Sequence, residues 1–411
     1  MRDGEDGRRD RGDRGGGTMT DDTTPAGGEA AASRPPLLKR LVRNRVARAV
    51  TVAGLVGVLL GAGTVAWRTD TFPLLSPDPC WDTFDDALVE RVFGDRETVA
   101  EAQRLQTDPN SRAAFYGQCR ITSYKDEEKE QAAGQLTVQV RRPAGYDGQD
   151  MWPAQFLGAD MVPLGQGLPG MVSPVRAWLA LPESCTGRPD ILSAPAVVDL
   201  AMGDLADSGI APERDRKDRA ALAEAVVTVT NGVLRKLGCS GTYPAPSPDK
   251  LPGLVGWQEA EPGALCGVPG LSAPAAYGES LGRVRVGPDG GAARTCEAGG
   301  RYPPGGLRLT TVVDPALARV FSGEASYGGT RLGRAKGGPE GFGSIDVTRG
   351  VYLAQCQTGD VAFVVERVRP VGSKDRKGPN LVRALLPAYV EAEAERIGCG
   401  PIRLTLPEVL E

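Results

Sequence analysis

Eight cysteines are the residues of this 411-residue chain whose chemistry is easiest to predict. They fall into two successive sets of four, which are Cys80, Cys119, Cys185 and Cys239, and then Cys266, Cys296, Cys356 and Cys399. No Cys-x-x-Cys pair occurs, and the closest two cysteines are 30 residues apart, so a thiolate metal site is not indicated. The even number and wide spacing instead predict structural disulfides, which persist in oxidising compartments.

Histidine is absent from the chain. Its absence excludes Ser-His-Asp and Cys-His catalysis, histidine general bases and the commonest transition-metal ligand. The acidic runs Asp85-Asp86 and Asp126-Glu127-Glu128 offer paired carboxylates of the kind that glycoside hydrolysis needs, but adjacent acids are typical of a solvated surface. We therefore predict no catalytic residue, no metal site and no cofactor.

An internal repeat connects the two sets of cysteines. Asp215-Arg216-Lys217 recurs as Asp375-Arg376-Lys377, and each run reaches a Gly-Cys pair, Gly238-Cys239 or Gly398-Cys399, without a gap. Between these ends the apolar residues recur with helical spacing, and each glycine stands where a left-handed residue ends a helix. The pattern predicts two tandem repeats.

Each repeat must close on itself if it arose from a self-sufficient ancestor, so we expect the disulfides to form within repeats. The predicted pairs are Cys80 with Cys119, Cys185 with Cys239, Cys266 with Cys296, and Cys356 with Cys399. Each bridge closes a loop of roughly 30 to 55 residues, for which the chain-entropy model gives about 4 kcal/mol of stabilisation.

The periodicity of the apolar residues predicts an α+β fold with two tandem repeated domains after a single transmembrane helix. Each domain is expected to be an antiparallel sheet packed with helices, because strands are gathered between helices. Helices are predicted at 82–93, 97–105, 217–237, 274–281 and 380–397. Strands are predicted at 113–123, 136–141, 175–181, 196–200, 293–297, 307–313, 344–354 and 361–368.

Residues 49–67 carry no charge and are the spanning candidate of the sequence. At about 1.5 Å per residue this segment just crosses a hydrocarbon core roughly 30 Å thick. The basic residues immediately before it are Lys39, Arg40, Arg43, Arg45 and Arg48, whereas Arg68 alone follows it. This bias predicts a single-pass protein of the cell membrane with a cytosolic N-terminus and extracytoplasmic C-terminal domains. A cleaved signal peptide is the alternative interpretation.

The chain is thereby divided into four parts. Residues 1–48, rich in glycine and charge, are predicted to be a disordered cytosolic tail, and residues 49–67 to be a transmembrane helix that contacts the lipid bilayer. Extracytoplasmic repeat domains 1 and 2 are placed at 68–245 and 254–411, with a proline-rich linker at 241–253. The chain after the span carries 37 basic and 44 acidic residues, so no nucleic-acid partner is expected.

The segments between the second and third cysteines differ most between the repeats, and they are the candidate contact loops. The candidate residues of the first loop are the apolar Met151, Trp152, Phe156 and Met161. They form either a contact surface for a partner or lipid, or a flap over the domain's own core. The candidate residues of the second loop are Arg331, Arg334 and Lys336, among glycines. They either hold an anionic polymer or phosphate, or belong to a mobile solvated loop.

Two short motifs of the first repeat carry a family resemblance. Cys80-Trp81 stands before a predicted helix, and Cys119-Arg120 lies in the following predicted strand. This arrangement resembles the small extracytoplasmic domains common in actinobacterial envelope proteins, many of them lipoproteins of unknown function. The resemblance covers about half of the chain and implies no catalytic residue. Ser76-Pro77-Asp78-Pro79 departs from the pattern, because it lacks the small apolar residues of a lipidation site.

Together these features predict a membrane-anchored extracytoplasmic binding or scaffold protein of the bacterial envelope. Its partner would be an envelope protein or an anionic cell-wall polymer. One alternative is a histidine-free envelope enzyme, which would need a concave pocket with carboxylates or lysines of shifted pKa. The other alternative is a receptor that signals to the cytosolic tail.

Overall fold

The computed structural model describes residues 79–106, 115–142, 155–187, 195–203, 216–300, 306–335, 337–368 and 379–408. Residues 77–411 form one compact unit. Within the described ranges, no helix is both long enough and apolar enough to cross a membrane. The predicted tail at 1–48 and the predicted span at 49–67 lie outside these ranges, and the division into domains at 68–245 and 254–411 stays a prediction.

The first half of the described chain, residues 79–240, builds a seven-stranded antiparallel sheet. Its strands are β1 (Thr98–Ala102), β2 (Phe115–Tyr124), β3 (Ala132–Arg141), β4 (Val162–Pro163), β5 (Gly170–Val172), β6 (Arg176–Ala180) and β7 (Val197–Met202). They are ordered β1-β2-β3-β7-β6-β5-β4. The central pair is therefore β3 and β7, which are joined through the long connection that contains β4, β5 and β6.

The second half, residues 258–408, builds an eight-stranded antiparallel sheet. Its strands are β8 (Gln258–Glu259), β9 (Arg283–Val286), β10 (Ala293–Gly299), β11 (Leu307–Val312), β12 (Thr330–Leu332), β13 (Gly341–Ile345), β14 (Arg349–Cys356) and β15 (Gly359–Arg367). They are ordered β8-β9-β10-β11-β15-β14-β13-β12. Without the extra edge strand β8, this order is the same as in the first sheet, with β9 in the place of β1.

One long helix follows the last strand of each half, and shorter helices lie elsewhere in the described chain. The helices are α1 (Asp86–Phe93), α2 (Glu183–Thr186), α3 (Arg216–Lys236), α4 (Pro315–Ala318), α5 (Ser322–Tyr327) and α6 (Leu381–Arg396). A further turn spans Pro79–Asp82, and short 3-10 turns span Pro248–Lys250, Leu265–Gly267, Ala275–Tyr277, Glu279–Leu281 and Arg319–Phe321. The observed α+β class with antiparallel sheets is the predicted one.

The helices lie outside and the two sheets lie face to face. Val226 of α3 and Ile121 of β2 belong to one buried cluster, and α6 forms the equivalent cluster with the second sheet. A third cluster joins the halves, because it contains Trp178 of β6 together with Val364 of β15. Both faces of each sheet are thus covered by apolar side chains over much of their area, in an α/β/β/α arrangement.

The predicted disulfides are confirmed. The bonded pairs are Cys80–Cys119, Cys185–Cys239, Cys266–Cys296 and Cys356–Cys399. All eight cysteines are described and none is free. Because the Cys80 sulfur is bonded to Cys119, it is not available for a lipid thioether, in agreement with the missing lipidation signal.

The two halves share local backbone features around these bridges. Cys80 and Cys266 both have a left-handed backbone, with φ of 54° and 63°. The predicted helix ends are also the same, since the Gly238 amide donates to Arg235 and the Gly398 amide donates to Glu395, each at 3.1 Å. Both glycines are left-handed, as the sequence predicts, with φ of 70° and 73°.

One glycine in each sheet allows the same close approach of two strands. A Cβ atom on Gly170 of β5 would collide with the carbonyl oxygen of Trp178, and a Cβ atom on Gly343 of β13 would collide with that of Val351. Gly170 lies opposite Leu179, and Gly343 lies opposite Tyr352. The two glycines therefore occupy corresponding positions on corresponding strands.

The linker between the halves packs against α3. The Tyr243 amide donates to Asn231 Oδ1 at 2.7 Å, and Asn231 Nδ2 donates back to the Tyr243 carbonyl at 2.9 Å. The Tyr243 hydroxyl donates to the Ala180 carbonyl at 2.9 Å, and burial, followed by the charge of Asp314, raises the pKa of Tyr243 to about 12. These bonds hold the first part of the linker in a fixed path along the helix.

Some predicted elements are wrong in type or extent. The predicted helix at 97–105 is strand β1, because pairing along the ten-residue strand β2 outweighs local helix propensity. The predicted single strand at 344–354 is divided between β13 and β14 by a turn in which Asp346 Oδ1 accepts the Thr348 and Arg349 amides. The predicted helix at 274–281 consists of two 3-10 turns.

A buried charged network fixes α6 to its sheet. Glu393 is 0% exposed, and its carboxylate accepts from Arg294 at 3.0 Å, from Arg396 at 2.8 Å and from the Thr311 hydroxyl at 2.8 Å. The Tyr389 hydroxyl lies 2.7 Å from that of Thr311. Burial is the main cause that raises the pKa of Tyr389 well above its usual range, and the negative charge of Glu393 raises it further.

The corresponding positions of the first half are apolar. The disulfide cysteines and the strand pairing give the correspondence between the halves. In the first half, the positions of Arg294, Thr311, Tyr389 and Glu393 are held by Gly117, Val140, Val229 and Val233. The long helix therefore contacts its sheet through apolar side chains in the first half and through a buried ion pair at the corresponding positions in the second half. Removing one partner of a buried pair is costly, whereas replacing the whole pair by apolar groups is not.

We predict that Glu393→Val lowers the free energy of unfolding by about 3 to 5 kcal/mol, because it leaves Arg294 and Thr311 without their buried acceptor. Adding Arg294→Met should recover part of this loss, since it removes the buried guanidinium that is left without its carboxylate. The matched control is Glu391→Val, whose exposed pair with Arg403 should contribute less than about 1 kcal/mol. Urea denaturation measures all three, and equal losses in Glu393→Val and Glu391→Val would contradict the prediction.

Candidate functional site

Each strand presents alternate side chains to the helix side and to the space between the sheets. In β2, Cys119 and Ile121 belong to the cluster under α3, so Arg120 points to the opposite, inner face. In β10, Cys296 belongs to the cluster under α6, so Glu297 points to the inner face of the second sheet. The inner faces are where the two halves can be compared position by position.

The disulfide cysteines give the two sheets a common register. Cys119 lies opposite Val138, and Cys296 lies opposite Leu309. The residue after each of these cysteines points to the inner face. Together with the residues aligned with it on four neighbouring strands, it forms a row of five positions across the sheet, which we call the inner row. The inner row of the second sheet is Arg285, Glu297, Arg308, Glu366 and Arg349. The inner row of the first sheet is Glu101, Arg120, Thr137, Ala201 and Arg176.

The inner row of the second sheet is an unbroken line of alternating charge. Glu297 accepts from Arg285 at 2.7 Å and from Arg308 at 3.2 Å. Glu366 accepts from Arg308 at 3.3 Å and from Arg349 at 3.0 Å. Every member therefore has a partner of opposite charge on the next strand, which is the condition for holding charges in a poorly solvated place.

Aromatic rings and one further carboxylate close the two ends of this row. The Arg285 guanidinium lies 5.6 Å from the Trp257 ring, and that of Arg349 lies 6.0 Å from the Phe321 ring. Arg349 also pairs with Glu324 of α5. Burial raises the pKa of Glu324, and the Arg349 charge opposes this shift without cancelling it.

The inner row of the first sheet is broken at its centre. Its two central positions hold Thr137 and Ala201, which cannot form ion pairs. On the outer strands, Glu101 and Arg120 lie opposite each other, and no ion pair joins their side chains within the described ranges. Both side chains are exposed, so this end of the row faces solvent.

Arg176 lies at the other end of the broken row and forms an ion pair with Asp199. Asp199 accepts from Arg176 at 3.1 Å and from Arg141 at 3.0 Å. The Phe156 ring lies 4.9 Å from the Arg141 guanidinium and 5.2 Å from that of Arg176. The Trp178 indole donates to the Phe156 carbonyl at 2.8 Å. This group is closed by its own partners and forms part of the inter-sheet core.

A polar shelf extends from this core along β2 and β3. We define it as the inner-face side chains Gln118, Arg120, Thr122, Gln135 and Gln139. Arg120 is exposed and the others are half-buried. Within the part of the chain that the structure describes, the one contact among these side chains is a 3.5 Å approach of Gln135 to Thr122. The shelf therefore presents amide and guanidinium groups with unused hydrogen-bonding capacity.

The second sheet shows what closes the same positions. Gln118 lies opposite Gln139, and the corresponding pair in the second sheet is Thr295 opposite Thr310. Those two threonines are 3% exposed and bond to each other at 3.1 Å. In the second sheet, the side chains at these two positions are buried and hydrogen-bonded to each other. In the first sheet, they are half-buried, and no hydrogen bond joins their amides within the described residues.

The apolar candidate loop contributes to the core, so the proposed contact surface is wrong for the residues that the structure describes. Phe156 and Met161 are each 1% exposed and belong to the cluster between the sheets. The physical reason is that this segment covers the inner face of the first sheet, as the flap interpretation requires. Met151 and Trp152 lie outside the described residues.

The basic candidate loop lies at the far edge of the second sheet. Arg331 belongs to edge strand β12 and is exposed. Arg334 is exposed as well and pairs with Glu340 at 3.3 Å, which removes much of the local positive charge. Lys336 lies outside the described residues. The structure brings this loop neither to the polar shelf nor to the first candidate loop, and its role as a polymer contact stays a prediction.

Sequence reasoning missed the polar shelf, although a signal was present. Residues 118–122 alternate polar and apolar side chains, as a strand with one buried face does. That alternation predicts which side chains share a face. It does not predict which strand lies alongside, so Gln118 and Gln139 are brought together only by the register of β2 against β3.

We predict that Glu324→Gln makes the protein more stable at pH 7, because it removes a charge from a site that disfavours it. The raised pKa means that the wild-type carboxyl gains stability when it is protonated. The advantage of the variant should therefore shrink as the pH falls through the raised pKa, and vanish below the ordinary value of 4.5. Thermal unfolding between pH 4 and 7 tests this, with the exposed Glu340→Gln as the control. A pH-independent difference would contradict it.

The described residues contain no group of three or more Cys, Asp or Glu side chains placed to hold a metal ion. The site consists of hydrogen-bond donors and acceptors on a sheet face. No protein-family model, curated protein or solved structure matches this chain.

Proposed function

We propose that this protein is a membrane-anchored, extracytoplasmic binding protein of the bacterial envelope, built from two tandem repeats that have diverged in role. The second repeat serves as scaffold, and the first repeat carries the binding surface on its polar shelf. Residues 49–67 anchor the chain in the lipid bilayer, with residues 1–48 in the cytosol. An envelope protein or a cell-wall polymer is the partner.

The repeat origin is supported by correspondences that reach beyond the sequence motifs. The strand order coincides in the two sheets, and the disulfides occupy matching places. The close approaches at Gly170 and Gly343 fall at the same register. Such agreement in register is expected of two copies of one ancestral unit, because a shift of one residue would turn every side chain to the other face.

The extracytoplasmic location is supported by the cysteines. All eight form disulfides, and each bridge stays within one half. Disulfides of this kind persist in oxidising environments and are rare in the cytosol. The charge bias around residues 49–67 supports the same outward orientation.

One observation carries the binding role, and it is the contrast between corresponding positions. The second sheet fills its inner row with mutual ion pairs and closes Thr295 against Thr310. Among the residues that the structure describes, Gln118, Arg120 and Gln139 of the first sheet have no such partners. Buried polar groups are normally hydrogen-bonded within the protein, whereas these solvent-accessible groups keep donors and acceptors that an external partner can use.

The enzyme alternative has one observation in its favour, which is the raised pKa of Glu324. Perturbed carboxyls do cluster at active sites, but structural ion pairs perturb them too. The Glu324 carboxylate is occupied by Arg349, which also bonds Glu366. This arrangement is explained by the inner row, so we do not propose catalysis.

The location has a direct test. Protease added to intact spheroplasts should degrade the chain beyond Arg68 and spare the N-terminal tail, because only the C-terminal part faces outward. Antibodies against tags at the two ends follow the fragments. A protected C-terminus in intact spheroplasts, degraded only after lysis, would contradict the outward placement.

The binding surface has a second test in whole cells. A photo-crosslinking residue at position 118 should give adducts with envelope material, because this side chain lies on the shelf. The matched control is position 395, an exposed position on α6 of the scaffold repeat. Adducts at both positions in equal yield, or at position 395 alone, would contradict the proposal that the first repeat carries the binding surface.

A further inference from the structure

The polar shelf has a composition that narrows its ligand class. Three of its five side chains are primary amides, namely Gln118, Gln135 and Gln139. Each amide offers two donors and one carbonyl acceptor, so it matches a group that both donates and accepts. Hydroxyl groups have this property, whereas a phosphate or carboxylate only accepts.

The two open charges at the solvent end of the shelf balance each other. Arg120 is the one cation of the shelf, and Glu101 lies directly opposite it on β1. Both side chains are exposed, and neither belongs to an ion pair within the described ranges. The second sheet has Glu297 and Arg285 at these two positions, with the signs reversed and the pair closed at 2.7 Å. This end of the shelf therefore has no net charge to attract a polyanion, and its two open charged groups add donors and acceptors for neutral polar atoms.

The geometry is that of two paired strands with regularly spaced side chains. Neighbouring strands lie about 4.8 Å apart, and successive inner-face residues of one strand lie about 6.8 Å apart. Gln118, Arg120 and Thr122 form one line of polar groups on β2, and Gln135 and Gln139 lie on the neighbouring strand β3. An extended ligand with hydroxyl groups at short intervals along its length can engage several of these side chains at once.

We infer that the polar shelf binds a neutral, hydroxyl-rich glycan strand. This inference rests on the proposed binding function and replaces the anionic polymer expected at Arg331 and Arg334 as the ligand of the protein. The Gln118 and Gln139 amides bond sugar hydroxyls, and Arg120 and Glu101 bond further hydroxyls at the solvent end. No covalent step takes place.

The test uses the full chain in detergent, with a soluble, neutral β-1,4-linked N-acetylated hexasaccharide as the probe. Calorimetric titration should show binding, and Gln118→Ala with Gln139→Ala should weaken it by about tenfold, as the loss of two hydrogen bonds implies. Arg331→Ala, an exposed change on the other sheet, is the matched control and should leave the affinity unchanged. The single variant Gln118→Ala should lose less affinity than the double variant. It keeps the test valid if the double variant does not fold.

A second titration uses linear polyphosphate as the probe and repeats both measurements at about 50 mM and about 500 mM salt. Hexasaccharide affinity should be nearly independent of salt, and polyphosphate should not compete. The inference is overturned if the hexasaccharide does not bind, if its affinity is unchanged in both glutamine variants, or if polyphosphate binds tightly at low salt and loses affinity in Arg331→Ala. Adducts with an envelope protein at position 118 in cells, without hexasaccharide binding, would overturn the glycan ligand alone and leave the proposed binding function standing.

Discussion

The covering of both faces of each sheet is the constraint on which the rest of this structure depends. A sheet with one wet face can carry charges there at little cost, but these sheets have helices on one side and each other on the opposite side. Polar side chains on the inner faces must therefore be paired or must reach the rim. The alternating inner row of the second sheet and the Arg141–Asp199–Arg176 group of the first are two solutions of this one problem. In both, an arginine stacks on an aromatic ring from the segment that covers the face.

The features that the sequence predicts well depend on local pattern or on the repeat. The helix ends at Gly238 and Gly398 follow from local chemistry, and the disulfide pairs follow from the requirement that each repeat closes on itself. Strands β4 and β12 have only two or three residues, which is too short for a periodic signal. The segment around Phe156 shows why burial is harder to predict than composition. Apolar residues among prolines and glycines occur both in contact loops and in core flaps, and only the position of the second sheet decides between them.

Comparison of corresponding positions separates what the fold requires from what each half has changed. The left-handed cysteines, the glycines at close approaches and the apolar contacts of the long helices recur, because the backbone geometry demands them. The network around Glu393 does not recur, since its counterpart in the first half is a set of valines and a glycine. A buried ion pair is therefore not needed to hold the helix. Apolar burial makes the corresponding contact in the first half.

The same comparison explains why the shelf lies on the first sheet. Thr137 and Ala201 interrupt the row of charges, so Arg120 has no carboxylate on the next strand toward the centre. Gln118 and Gln139 stand where the second sheet has Thr295 and Thr310, and within the described residues no hydrogen bond joins the two glutamine side chains as one joins the two threonines. Each of these differences removes an internal partner and leaves a polar group on the surface. If the two halves are copies of one ancestral unit, as proposed, self-pairing in the second half and its absence in the first would let one half carry a recognition face while the other maintains the stability of the fold.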